Sequence, residues 1–302
     1  MSQPDRKQGR GRLSQPSPVA QLALEKDVPL WRPEKIGSKE VQLALAKQEA
    51  DIGIVAAYGQ FIPRKIRELP SLGYLINAHA SLLPKLRGAS PITKAILDGE
   101  LETGISIMQV DKEMDAGPIL FKDKIKILGE ENAGELTRRL AGVASGAVSR
   151  ALTEIEAGAE FEPQDHSRAT FASKITSLDS ELDFSEAADS LSRRIRAMAP
   201  KPGAFASCPT GLVRILKAKI LEGDPDRTAG RYWIEKNDAD APLRIATSSG
   251  YLLPLELQRP GGKVLRTKDF LRGARFPENG SFGPVGDAGR LKSNFVDIKH
   301  QK

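Results

Sequence analysis

The chain of 302 residues is poor in the side chains that build cross-links and metal centres, with one cysteine and three histidines. Cys208 alone rules out an internal disulfide, and the composition suits a reducing compartment, so a cytoplasmic location is expected. His79, His166 and His300 are too scattered to give a zinc-ligand spacing, and no metal is expected. Long apolar runs are missing as well. No stretch approaches the roughly eighteen apolar residues of a membrane span, and the N-terminal segment lacks the apolar core of a signal peptide. Neither secretion nor membrane insertion is expected. Gly-x-Ser-x-Gly and phosphate-loop motifs are absent, which removes two common routes to hydrolase and nucleotide chemistry.

What is present is 40% apolar residues, enough for a sizeable core, in a chain whose length suggests two domains. The net charge of +6 is unevenly spread: residues 1–160 carry 22 basic and 21 acidic side chains, residues 161–302 carry 23 and 18. Arg193, Arg194, Arg196, Lys201, Arg214, Lys217 and Lys219 fall within residues 190–219 without one acid, and residues 259–275 add six basic side chains against Asp269 alone. Such stripes suit a polyanion such as RNA or DNA, and equally a solvated surface that keeps the chain dissolved.

Residues 4–18 interleave glycine and proline with Arg6, Lys7, Arg10 and Arg12, the pattern of a mobile loop. Ser17 and Pro18 then start one helix, and Ser38 caps a second over residues 38–49. Residues 52–57 form an uncharged apolar run, predicting a buried strand. Further strands are predicted at 74–79 and 105–110, with a short helix capped by Ser90 over 91–98. Asn132 and Glu135 make a capping box for a long helix whose apolar face runs from Leu136 to Ile155. This alternation predicts an α/β sheet domain over residues 1–162. From residue 163 the texture is that of a linker, followed by a helix over about 185–198 and by short strands at 213–218, 231–235, 243–247 and 251–258. Their spacing is barrel-like. The tail after Phe282 reads as poorly ordered.

Chemistry concentrates between residues 74 and 120. Asn77 and His79 lie two apart near the end of a predicted strand, so both side chains can face one crevice beyond the sheet. Asp115 follows the next strand, in a loop with Gly117 and Pro118 that can turn its carboxylate towards the imidazole. An amide, an imidazole and a carboxylate suit acyl transfer to an amine. The first two can stabilise the developing oxyanion, while the carboxylate can orient His79 or relay the proton of the attacking amine. His166 and His300, in polar contexts, read as structural.

The segments Asn77-Ala78-His79-Ala80-Ser81-Leu82-Leu83-Pro84, Arg87-Gly88-Ala89-Ser90-Pro91-Ile92, Thr103-Gly104 and Met114-Asp115-Ala116-Gly117 together resemble the signature of the folate-dependent formyltransferases. The resemblance implies that Asn77, His79 and Asp115 are catalytic and that 10-formyltetrahydrofolate is the cosubstrate. It implies folate contacts from Tyr58, Gly59, Gln60, Phe61 and Ile62, from Ser81, Leu82, Leu83 and Pro84, and from Asp111, Met114 and Gly117. The similarity is greatest to the branch that formylates methionine on initiator tRNA for translation initiation. It extends to a basic loop with Arg6, Arg10 and Arg12, and to a carboxy-terminal basic barrel of OB type with Lys201, Arg214 and Lys217, all expected to contact tRNA.

The fold implied is α/β: a Rossmann-like, mostly parallel sheet domain over residues 1–162, then a linker, a small OB-type barrel and a basic tail over residues 163–302. A monomer without membrane attachment is expected. Family members carry a strand, a Gly-Thr-Pro-Asp-Phe loop, a helix and a second strand ahead of the basic loop. Against that pattern about thirty residues are expected to be missing before Met1, which reads as an internal methionine, and the absent strand would leave sheet backbone groups unpaired. Formyl transfer to a small amine, such as glycinamide ribonucleotide or an amino-sugar, is one alternative. A catalytically impaired tRNA-binding homologue is another.

Overall fold

Capping residues set the helix starts. Ser17 accepts a hydrogen bond from the Ala20 amide at 3.1 Å to begin α1 (Pro18–Glu25), and Ser38 accepts from Val41 at 3.3 Å to begin α2 (Lys39–Ala46). The structure, a computed structural model, describes residues 1–8, 13–274 and 276–285. Contacts divide it into two units. The first comprises Met1–Ala89, Gly104–Lys124 and Val143–Phe171; the second comprises Ser90–Thr103, Ile125–Gly142 and the chain from Ala172 onward.

In the first unit, β1 (Arg6–Gln8) and β2 (Leu13–Gln15) pair as an antiparallel hairpin, Arg6 opposite Gln15, where the sequence predicts a loop. Neither run shows apolar alternation, so the pairing of its backbone groups left no signal in composition. A sheet of order β3-β4-β6-β7 follows, built from β3 (Gly53–Val55), β4 (Leu75–His79), β6 (Glu102–Gln109) and β7 (Ile119–Lys126). Helix α3 (Arg64–Arg67) is a single turn between β3 and β4. The sheet is mixed: β3 runs parallel to β4, Val55 beside Asn77, and β4 antiparallel to β6, His79 beside Ser106. Among the described residues β3 pairs only with β4, and Ile54 is 47% exposed. The strand read as buried is therefore an edge. Short strands β5 (Arg87–Gly88) and β8 (Phe171–Ala172) pair with each other.

Helix α4 (Pro91–Leu97) starts where expected, yet Ser90 makes no capping bond from its side chain; its backbone is too far from the usual extended cap geometry. Helix α5 (Ala133–Glu156) has the reciprocal box read from the sequence, with Asn132 Oδ1 accepting from Glu135 N and Glu135 Oε2 accepting from Asn132 N, both at 3.0 Å. Leu136, Leu140, Ala147 and Ala151 form its buried stripe.

The second unit holds α6 (Ala188–Met198), β9 (Ala204–Cys208), β10 (Gly211–Leu221), β11 (Arg231–Ile234), β12 (Leu243–Ala246), β13 (Tyr251–Gln258), β14 (Val264–Arg266), α7 (Thr267–Ala274) and β15 (Asn279–Ser281). Its antiparallel strands run in the order β15-β11-β12-β13-β10-β9, with β14 paired to β13. Ser207 of β9 and Gly283, just past β15, exchange backbone bonds of 2.9 and 3.1 Å. This links the two ends of the strand order, as a small barrel requires. The tail predicted to be loose from Phe282 is thus part of the barrel as far as Val285, which is 3% exposed; residues 286–302 lie outside the described residues.

The barrel core gathers Leu191, Ile195 and Met198 of α6 with Val213, Ile215, Leu243, Ile245 and Leu252, and with Tyr232, Phe276 and Phe282, whose rings lie 5.1–6.1 Å apart. Each such side chain contributes about 1.5–3 kcal/mol on burial. Among the described residues no helix is long and apolar enough to cross a membrane.

Candidate active site

Strand β4 ends in Asn77, Ala78 and His79, and the two-residue period puts Asn77 and His79 on one face. His79 is 6% exposed, with one ring nitrogen hydrogen-bonded and the other near a carboxylate. Its Nε2 donates to the Leu86 carbonyl at 3.0 Å, and its Nδ1 faces Asp115 Oδ2 at 3.6 Å. The same carboxylate oxygen accepts from the Gly88 amide at 2.8 Å. The Leu86 carbonyl anchors the imidazole on one side, and the carboxylate stands within reach on the other. The amide of Asn77 is half-buried and has no hydrogen-bond partner among the described residues.

Asp115 reaches this position from a left-handed backbone conformation, φ +50°. Two residues on, Gly117 passes so close to β6 that a Cβ there would sit 2.0 Å from the Gln109 carbonyl, so only glycine fits. The opposite wall, residues 81–88, is fastened as firmly. Ser106 Oγ donates to the Ser81 carbonyl at 2.7 Å and accepts from Leu83 N at 3.1 Å, while Ser81 Oγ donates to Lys85 O at 2.6 Å. The Leu86 amide donates to Thr170 Oγ1 and the Arg87 amide to Thr170 O, both at 2.9 Å.

Residues from 163 on were expected to be a linker, and their first part belongs to this site. Gln164, 6% exposed, donates from Nε2 to the carbonyls of Asp115 at 2.9 Å and Gly117 at 2.7 Å. Its Oε1 accepts from Arg87 Nε at 3.1 Å and Nη2 at 2.7 Å, and Arg87 Nη1 reaches His166 Nδ1 at 3.3 Å. Arg87 is only 4% exposed. Sequence reading gave Arg87 only as part of the family signature, passed over Gln164 and took His166 as structural; a lone polar triplet in a Pro- and Asp-rich stretch carries no local sign of a partner 77 residues away.

The other residues expected to meet folate are less uniform. The Tyr58 hydroxyl is buried with no hydrogen-bond partner among the described residues, and burial pushes its pKa up; its carbonyl accepts from Gln3. Gly59 has φ +77°. Gln60 spends its side chain on the neighbouring backbone, accepting from Ile36 N at 3.0 Å and donating to Pro33 O at 3.2 Å. Phe61 and Met114 are 72% and 70% exposed, and Ile62 is buried. Leu83 packs with Met108 and Ile119 in the core; Leu82 precedes it and a cis bond joins it to Pro84. Asp111 Oδ1 accepts from the Lys112 amide at 2.5 Å. Among the described residues no cluster of His, Cys, Asp or Glu could hold a metal ion.

The basic residues fall in both units. Arg6 is exposed on β1 and donates to Gln3 at 3.2 Å, whereas Arg10 and Arg12 lie outside the described residues. In the second unit, Lys201 is exposed after α6. Arg214 on β10 is half-buried, donates to Gln258 at 3.3 Å, and has its pKa lowered by desolvation. Lys217 joins Lys219, Arg266 and Lys268 around a concavity of about 310 Å3 that also includes Asp240 and Glu256.

Comparison with known proteins agrees with this organisation. The family described as Formyl transferase matches residues 1–152, and the Formyl transferase, C-terminal domain matches residues 174–275. A Methionyl-tRNA formyltransferase of Parvibaculum lavamentivorans is 38% identical over 279 residues, which is 90% of this chain and 87% of that protein. Among solved structures, HypX from Aquifex aeolicus in complex with tetrahydrofolic acid superposes with a TM-score of 0.59 at 17% identity over 78% of this chain, which spans 41% of HypX. An N-formyltransferase from Helicobacter canadensis, solved with folinic acid and dTDP-3-aminofucose, gives 0.58 at 15% identity, covering 82% of this chain and 87% of that one. Matched through both of its parts, the chain belongs to the formyl transferase family.

Proposed function

We propose that the protein transfers a formyl group from 10-formyltetrahydrofolate to the α-amine of methionine carried by initiator tRNA. The observation that carries this reading is the placement of Asn77 and His79 two apart on β4, with Asp115 Oδ2 3.6 Å from the imidazole and the Asn77 amide without a hydrogen-bond partner among the described residues. The chain also shares 38% identity across most of its length with a protein named for that reaction.

Bound 10-formyltetrahydrofolate supplies the formyl carbon and a nitrogen leaving group. The unpartnered Tyr58 hydroxyl and the exposed Phe61 ring suit a flat heteroaromatic ligand with polar edges. When the amine attacks, negative charge collects on the formyl oxygen, and Asn77 Nδ2–H is the donor for it; the imidazole joins it only when substrate draws its Nε2–H from the Leu86 carbonyl. Asp115 accepts the proton released by the amine, directly or through water, and its carboxylate holds His79 in plane. That proton goes to the departing nitrogen as its bond to carbon breaks. The gap between His79 and Asp115 is wider than a hydrogen bond, and a contraction of about 0.5 Å on substrate binding closes it.

The cationic concavity around Lys217 would meet tRNA phosphates, positioning the acceptor end without reading bases. The test is a formylation assay with 10-formyltetrahydrofolate and either methionyl-tRNA, glycinamide ribonucleotide or an amino-sugar, using His79→Ala as control. Formylation of methionyl-tRNA alone, lost in the control, is expected. Preference for a small amine, or full activity of the control, refutes the reading.

A further inference from the structure

We propose that Gln164 is a positioning residue for formyl transfer: it grips the loop that carries Asp115 and so sets the carboxylate against His79. The inference rests on the function proposed above and deepens it.

The primary amide of Gln164 is used to its full donor capacity. Both N–H groups are spent on one loop, at the carbonyls of Asp115 and Gly117, and its oxygen receives two N–H groups of Arg87. A glutamate has no donor for the carbonyls and a lysine has no acceptor for the guanidinium, so a primary amide is the group that joins the two. The carbonyls it holds flank Ala116, and between them they fix the turn in which Asp115 sits at φ +50°. Aspartate tolerates that conformation better than most non-glycine residues, and the two bonds from Gln164 hold it there.

The other end of the bridge is Arg87. Arg87 is buried, and its described side-chain partners are Gln164 and His166. A guanidinium can only donate, so Nδ1 of His166 is the acceptor in this contact. Arg87 also begins the short strand whose next residue, Gly88, gives its amide to Asp115. The carboxylate is therefore fixed twice from the same wall, once at its oxygen by Gly88 and once at its backbone through Arg87 and Gln164. A displacement of about 1 Å in a reacting group costs on the order of 100-fold in rate, so this bracing acts on turnover.

The experiment uses the full chain with two variants. Gln164→Glu keeps an acceptor for Arg87 and removes both donors to the loop; Gln164→Asn keeps both groups on a stem one methylene too short to span them. The kcat and the KM for methionyl-tRNA are measured at saturating 10-formyltetrahydrofolate, with thermal melting followed by circular dichroism. Expected is a loss of kcat of roughly 10- to 100-fold in each folded variant, with KM within about twofold of the parent. A folded variant that keeps kcat within about twofold overturns the inference, as does a KM that rises in step with the loss of kcat, or loss of folding in both variants, which makes the bridge structural. A parent chain inactive on methionyl-tRNA overturns the proposed function as well, whereas an active parent with unaffected variants overturns only the role of Gln164.

Discussion

The Gly88 amide and the Asp115 carboxylate, 27 residues apart in sequence, meet at 2.8 Å, and the oxygen they share is the one facing His79. One backbone donor therefore aims the charge. Asp115→Asn retains an acceptor for Gly88 but no charge or proton acceptor, so kcat should fall by about 100- to 10,000-fold with little change in melting temperature. Formylation kinetics beside a thermal melt would check it; a loss below tenfold would remove Asp115 from proton transfer.

Gly117→Ala tests the loop from the backbone side. The added Cβ would lie 2.0 Å from the Gln109 carbonyl, an overlap with rigid main chain that the loop must move to relieve. A destabilisation of about 1–3 kcal/mol, read from urea unfolding, is expected. An unchanged midpoint would mean that the loop has another conformation at no cost.

The capping box of α5 makes no described bond to Asn77, His79 or Asp115. Asn132→Ala removes the acceptor for the Glu135 amide and should cost about 0.5–2 kcal/mol of stability, leaving kcat at assay temperature unaltered. Equal melting curves for parent and variant would contradict this.

Tyr232 makes the barrel sensitive to alkali. Desolvation, with a smaller effect from Cys208, pushes its hydroxyl from 10.0 up to about 12. Between those values the folded chain keeps a proton that the unfolded chain has released. The contribution is complete below pH 10 and is lost as pH rises towards 12, with a slope of up to about 1.4 kcal/mol per unit. Tyr232→Phe should flatten that slope in unfolding measured from pH 9 to 12, and a slope equal to the parent's would refute the assignment.

Lys217 provides a test of tRNA contact through salt. If it meets a phosphate, Lys217→Ala should weaken tRNA binding and lower the slope of log K against log salt by about one. Binding titrations at several salt concentrations would show this, and an unchanged slope would take Lys217 off the tRNA path.

Much of the site was readable because its signals are local. Asn77 and His79 sit two apart at the end of a short apolar run, and that spacing alone places them together on a strand. Ser17, Ser38 and the Asn132–Glu135 pair announce helix starts because each bonds within three residues of itself. By contrast β7 went unread, since Lys122, Asp123, Lys124 and Lys126 hide its alternation, and the β1–β2 hairpin has no apolar pattern to betray it. Ser90 shows the limit of even a good local signal, occupying the cap position without using its hydroxyl.

The sequence by itself determined which groups are available: an amide, an imidazole and a carboxylate in one window, the helix caps, and a cationic second part. Tertiary structure alone decided how they are held. The bridge from Arg87 through Gln164 to the Asp115 loop joins residues 77 and 49 positions apart, and the bond between Ser207 and Gly283 that closes the barrel spans 76. Periodicity and capping record bonds a chain makes with its near neighbours. A contact between distant segments depends on where the whole backbone returns, and a single glutamine or serine carries no mark of it.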